Sequence, residues 1–125
     1  MQDRGWWLGT ALSGALVVMA GAFGAHGLEG QLEPRFAAAF ETGVRYQAWH
    51  TLAMLAVLAW RASLPLAGQT LALGLWAAGM LLFSGSLYAM ALSGIGGLGI
   101  VTPVGGVLLI AGWLGLAISI MRARA

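Results

Sequence analysis

The chain has no cysteine and no lysine, and only 8% of its 125 residues are charged. Without cysteine there is no disulfide, no thiolate metal ligand and no cysteine nucleophile. Without lysine there is no Schiff base and no lysine general base. The shortage of charge excludes most. Soluble domains carry about 25% charged residues, so this chain could not cover a water-facing surface. Sixty per cent of its residues are apolar, which places it in a lipid bilayer. The net charge of +2 comes from six arginines and four acids. They form no basic run or stripe, so no nucleic-acid partner is implied.

Residues 5–25 are free of charge and long enough for one spanning helix, which needs about 20 residues. A signal peptide is the rival reading, because Ala20-Gly21-Ala22 resembles a cleavage site. Its apolar core would exceed the roughly 7–15 residues of a signal, so the segment is expected to be retained. The run from Tyr46 to Trp60 is short by itself and is extended at its start by the segment after Pro34, a residue suited to the first helical turn. Residues 62–121 carry no charge and are read as two spans. Ser63-Leu64-Pro65 opens the first, "SGIGGLGIVTP" (93–103) interrupts the run, and Thr102-Pro103 reads as an N-cap followed by a first-turn proline. The expectation is one domain over 1–125: an all-α, polytopic membrane protein with four transmembrane helices in a compact bundle. The spans fall at about 6–26, 42–60, 66–92 and 103–121.

Four crossings put both termini on one side with Arg4, Arg61, Arg122 and Arg124. The other side holds Arg35 and Arg45 beside Glu29, Glu33 and Glu41. The positive-inside rule assigns the first group, and so both termini, to the cytoplasm. Trp6, Trp7 and Trp60 would belt that interface.

Small residues on one arc let membrane helices approach closely. Gly5, Gly9, Ser13, Ala20 and Gly24 form such an arc on the first helix, and Ala111, Gly115 and Ser119 a shorter one on the fourth. With 20 glycines in the chain, stripes of this kind also arise by chance. On the second helix Phe36, Phe40, Gly43, Gln47, His50 and Met54 share one face. Glu41 and Arg45 form an i,i+4 pair on the opposite face.

Neutral polar groups gather in the outer half: His26, Tyr46, Gln47, His50, Ser84, Ser86, Tyr88 and Thr102. Polar groups in a membrane must find partners, so this cluster is the candidate ligand-binding site. The uncharged outer loop is either a lid over it or a connector at the membrane surface. Its glycines do not match a phosphate-cradling loop, which would end in Gly-Lys-Ser/Thr.

The histidines admit three active readings. His26, His50 and Glu29 could hold zinc or iron; two imidazoles could hold a haem; one imidazole could pass protons or bind a polar ligand. The structural reading has His50 bonded to Tyr46 one turn earlier and His26 capping the first helix. No H-E-x-x-H spacing is present, no cofactor is required, and no nucleophile motif supports a hydrolase.

"GAFGAHGL", "FETGVRYQAWHTLAM", "FSGSLYAM" and "TPVGGVLLIAGW" occur in this order, and together they resemble the domain-of-unknown-function family four-two-three. That family is similar to a eukaryotic four-span family, transmembrane protein family two-five-six. The resemblance covers nearly the whole chain. Its pattern falls on Gly24, His26, Gly27, Tyr46, Gln47, His50, Thr102, Pro103 and Gly105. It implies a four-helix protein of the bacterial inner membrane and supplies no catalytic role. The reading is a non-enzymatic bundle in the lipid bilayer that self-assembles or joins a larger membrane complex. The alternative is small-molecule, lipid or proton handling through the outer cluster, with a metal or haem site third.

Overall fold

The structure, a computed structural model, describes residues 1–123; Arg124, expected at the cytoplasmic face, lies outside the described residues. The described residues form four long helices and no strand: α1 (Arg4–Ala22), α2 (Pro34–Ser63), α3 (Gln69–Ser93) and α4 (Thr102–Arg122). A π-helical turn, Phe23–Gly27, continues α1, and a 3-10 turn, Gly96–Ile100, precedes α4.

Local chemistry sets these boundaries. Pro34 occupies the first turn of α2, where its fixed φ and missing N–H do no harm. The helix therefore begins there, ahead of the expected span at about 42–60, as the extension after Pro34 predicts. It stops at Leu64, whose extended backbone (φ −141°, ψ 82°) is what a following proline enforces. Gly94 ends α3 at φ 74°, a left-handed cap that glycine adopts without a Cβ penalty. Thr102 is not an N-cap but the first residue of α4. Main-chain N–H groups of Val104 and Gly105 already reach the Val101 carbonyl, which leaves the Thr102 hydroxyl for another helix.

Three helical stretches, Arg4–Gly27, Gln69–Ser93 and Gly96–Arg122, are long and apolar enough to cross a membrane. The helix α2, which holds Arg35, Glu41, Arg45 and Arg61, is not among them. Packing runs in chain order: α1 on α2, α2 on α3, α3 on α4. Among the described residues no Cα of α1 comes within 8 Å of one in α3 or α4. The expected compact bundle is therefore open along its α1–α4 side.

The tightest contact joins α3 to α4. A Cβ at Gly105 would run into the backbone of Leu82 and Phe83, one at Gly79 would lie 2.7 Å from Leu109, and one at Gly112 would meet the Trp76 indole. Backbones this close gain dispersion where lipid offers no hydrophobic drive. Trp76, Leu58, Leu73 and Ala72 are fully buried at the centre. The buried stripe of α4 is Gly105, Leu109, Gly112, Leu116 and Ser119. Of the expected stripe, only Ser119 falls in it; Ala111 is half-buried and Gly115 has open space beside it.

On α1 the expected arc is likewise turned relative to the contact. Ser13 bonds α2, Ala20 packs at the outer cluster and Gly24 lies under the Phe40 ring, whereas Gly5 and Gly9 are exposed with nothing beside them. From Thr10 onward the less exposed face of α1 comprises Thr10, Ser13, Gly14, Val17, Ala20, Gly21 and Gly24, so it shares Ser13, Ala20 and Gly24 with the expected arc and extends further round the helix at about 100° per residue. On it, a Cβ at Gly14 would touch Thr51 of α2 and one at Gly21 would touch Val44. At the Arg61 end, Arg61 grips Asp3 through Nε and Nη2 (2.7 and 3.2 Å) and also reaches Thr70, so the ends of α1, α2 and α3 are tied together. Asp3 holds a left-handed φ of 60°, a conformation that aspartate tolerates better than most residues.

Candidate functional site

The polar residues of the outer half separate into three hydrogen-bonded groups, each joining helices. In the first, Tyr88 Oη donates to Gln47 Oε1 (2.7 Å) and Gln47 Nε2 donates to Ser13 Oγ (3.1 Å). Ser13 Oγ lies 2.8 Å from Thr51 Oγ1, whose hydroxyl reaches Met80 Sδ at 3.8 Å. This chain crosses from α3 through α2 to α1 and back to α3. Beside it, Ser84 Oγ donates to the Gly43 carbonyl (2.7 Å). A Cβ at Gly43 would lie 2.8 Å from the Tyr88 ring, so glycine is what lets that tyrosine lie flat against α2.

The second group surrounds His50, which is 4% exposed. Its Nε2 accepts the Trp113 indole N–H at 3.0 Å. The proton of the neutral ring is therefore on Nδ1, which lies 2.8 Å from the main-chain carbonyl of Tyr46 one turn earlier. Tyr46, Trp76 and Trp113 ring the imidazole at centroid distances of 6.3, 5.9 and 5.9 Å. The two indoles pack at 4.6 Å, and the Trp76 N–H donates to the Leu109 carbonyl. In the third group Ser86 Oγ and Thr102 Oγ1 sit 2.6 Å apart and pin α3 to the start of α4.

Seven of the eight candidate residues thus belong to helix-joining groups. Tyr46 contributes its carbonyl and its ring, which also packs on Phe83 and Trp49. His26 does not join them. It is exposed on the π-helical turn, beyond the end of a helix that touches only α2. The turn closes with Leu28 N–H on the Phe23 carbonyl at 3.0 Å, and Gly27 accommodates the Phe23 ring against the main chain. The wider turn adds a residue per revolution relative to an α-helix and changes the direction in which His26 leaves it.

This arrangement does not suit the metal or haem readings. Both ring nitrogens of His50 are engaged, so no lone pair is free for a metal. The set His26, His50 and Glu29 is not assembled: among the described residues no three His, Cys, Asp or Glu side chains come together as a metal site. The outer loop is not a lid. Its 3-10 turn lies against α3 and α4 alone, with Ile95 and Ile100 58% and 80% exposed.

Sequence reasoning missed Trp113, Thr51, Met80 and the Asp3–Arg61 pair. A signal existed for Trp113: a tryptophan near the middle of an apolar helix needs an acceptor for its N–H.

The family model described as "Protein of unknown function (DUF423)" matches residues 20–106. The chain belongs to the DUF423 family. The match spans every residue of the Tyr88–Gln47 chain except Ser13, and includes His50 but not Trp113. The chain is 42% identical to a UPF0382 membrane protein of Haemophilus influenzae over 91% of each chain. It is 38% identical to the UPF0382 membrane protein YwdK of Bacillus subtilis, covering 90% of this chain and 92% of the relative. It is 40% identical to the UPF0382 inner membrane protein YgdD of Escherichia coli, covering 91% and 87%. No solved structure matches. A DUF423 protein with this composition and these helices is a membrane protein.

Proposed function

We propose that this protein is a non-enzymatic component of the bacterial inner membrane, crossing it four times with both termini in the cytoplasm and acting through lateral assembly. Self-association and a place in a larger membrane complex are the two forms that assembly takes. One observation carries the reading: in the outer half, Gln47, His50, Ser84, Ser86, Tyr88 and Thr102 each bond to a group on another helix. Among the described residues no buried side-chain nitrogen or oxygen lacks a partner. No nucleophile–base pair is left over, while the apolar flank of α1 and the open α1–α4 side are free for another helix.

The fourth crossing follows from connection. Since α2 packs along both α1 and α3, it traverses the same thickness. Its charges lie toward its ends: Arg35, Glu41 and Arg45 one way, Arg61 the other. Glu41 and Arg45 pair at 3.0 Å with both side chains exposed, as suits the headgroup layer.

The test is native mass spectrometry of the protein released gently from its own membranes, beside His50→Ala. Assembly predicts a homo-oligomer or a second polypeptide for wild type, and a less heat-stable variant. A monomer alone overturns it. A second reading, binding of a small amphiphile, is favoured by a groove between α1 and α3 with Gln47 and Tyr88 in its floor.

A further inference from the structure

Because no Cα of α1 comes within 8 Å of one in α3, a cavity of about 720 Å³ opens sideways between the two helices. That volume is in the range of small-ligand sites, roughly 300–1,000 Å³, which are mostly apolar with a few placed polar groups. Leu16 and Met19 of α1 form one wall, and Met80 and Leu81 of α3 the other. No charged side chain lines it.

The polarity of the floor is one-sided. The Tyr88 O–H is given to Gln47, the two Gln47 amide N–H donors face Ser13 (Oγ at 3.1 Å and the main-chain carbonyl at 3.4 Å), and the Ser84 O–H is given to the Gly43 carbonyl. Donors are therefore committed inside the protein. A phenol oxygen that donates once can still accept, and Tyr88 is half-buried at the groove rather than sealed. The groove offers an acceptor and asks for a donor.

Depth narrows the partner further. Tyr88 lies five residues before Ser93, the end of α3, hence ~7–8 Å inside that end at 1.5 Å per residue. A phosphate head drawn to that level would lose its water without a cation in exchange. A hydroxyl would lose little and regain a hydrogen bond.

We propose that this groove holds a neutral, hydroxyl-headed, long-chain lipid, its O–H donating to Tyr88 Oη and its chain lying between α1 and α3. This rests on the second reading above and gives it a ligand class. The probes are hexadecan-1-ol and its methyl ether, titrated into the full-length protein in a neutral detergent, with the bound fraction read by native mass spectrometry. Wild type should favour the alcohol by about tenfold, and Tyr88→Phe should erase that preference while still binding both probes weakly. Gly85→Leu should remove both, since Gly85 lines the groove and a Cβ there meets nothing within 4 Å. Leu81→Trp, at a position 74% exposed, is the second block should Gly85→Leu not fold. Equal binding of alcohol and ether, lost on blocking, overturns the donor-headed class but keeps an amphiphile site. No binding, or binding indifferent to both blocks, overturns the site and the second reading together. A dimer that dissociates in Gly85→Leu puts a helix of a second copy in the groove and also overturns the proposal.

Discussion

Replacing Gly105 with leucine is expected to separate α3 from α4, while alanine at the next residue, Gly106, leaves the fold intact. A Cβ at Gly105 points into the main chain of Leu82 and Phe83, and main chain cannot swing aside. A Cβ at Gly106 rests 3.6 Å from the Phe83 ring, an ordinary contact. Gly105→Ala should cost roughly 1–3 kcal/mol, the usual range for overpacking. Gly105→Leu should exceed about 4 kcal/mol or fail to fold. Gly106→Ala should be neutral or gain up to about 1 kcal/mol from helix propensity. Reversible unfolding in detergent ranks the three. Equal losses at Gly105 and Gly106 would mean that close backbone approach does not hold this pair together.

The second large effect is at His50. Its imidazole fills a space bounded by Tyr46, Trp76 and Trp113 and accepts the Trp113 N–H. His50→Ala leaves a cavity in the middle of the helices and orphans that donor. Large-to-small changes in a packed core cost about 2–5 kcal/mol. Hydrogen bonds between membrane helices average about 0.6 kcal/mol and reach about 1.7. Packing therefore decides the outcome: His50→Ala should lose roughly 2–4 kcal/mol, and Trp113→Phe, which keeps an aromatic ring, about 1 kcal/mol or less. The same unfolding assay checks both. Were Trp113→Phe the costlier change, the histidine would not be the keystone of the cluster.

Helix number and most helix ends could be read from the sequence because hydropathy and punctuation agree there. Pro34, Pro65 and Pro103 mark where main-chain N–H groups are missing, and Gly94 marks a left-handed cap. Which face of α1 makes the contact could be read only in part: Ser13, Ala20 and Gly24 lie at it, whereas Gly5 and Gly9 do not. A helix with one neighbour buries a narrow strip, and in a chain so rich in glycine and alanine several strips look equally small. The contact fell on Gly14 and Gly21 rather than Gly5 and Gly9. Between those two glycines the same face carries Val17, a branched residue that a search for small side chains passes over. The direction of His26 depended on a π-turn, which leaves no periodic trace in five residues. Gln47, Ser84, Tyr88, Ser86 and Thr102 were legible as a polar layer, since depth alone brings them to similar levels. Depth does not say who bonds whom, so the division into separate groups emerged only from how α2 packs on its neighbours and α3 on α4.

The central claim is that the buried polar groups of the outer half join helices and are not held ready for chemistry, and His50 states it most sharply. The most direct measurement is nitrogen-15 NMR of the histidine rings in the intact protein, wild type beside Trp113→Phe. The account predicts that His50 is a neutral imidazole with its proton on Nδ1 and an Nε2 resonance that shifts when the Trp113 indole N–H is removed. A proton on Nε2, or an Nε2 resonance indifferent to Trp113→Phe, would contradict it and return the histidine to the groups free to bind or react.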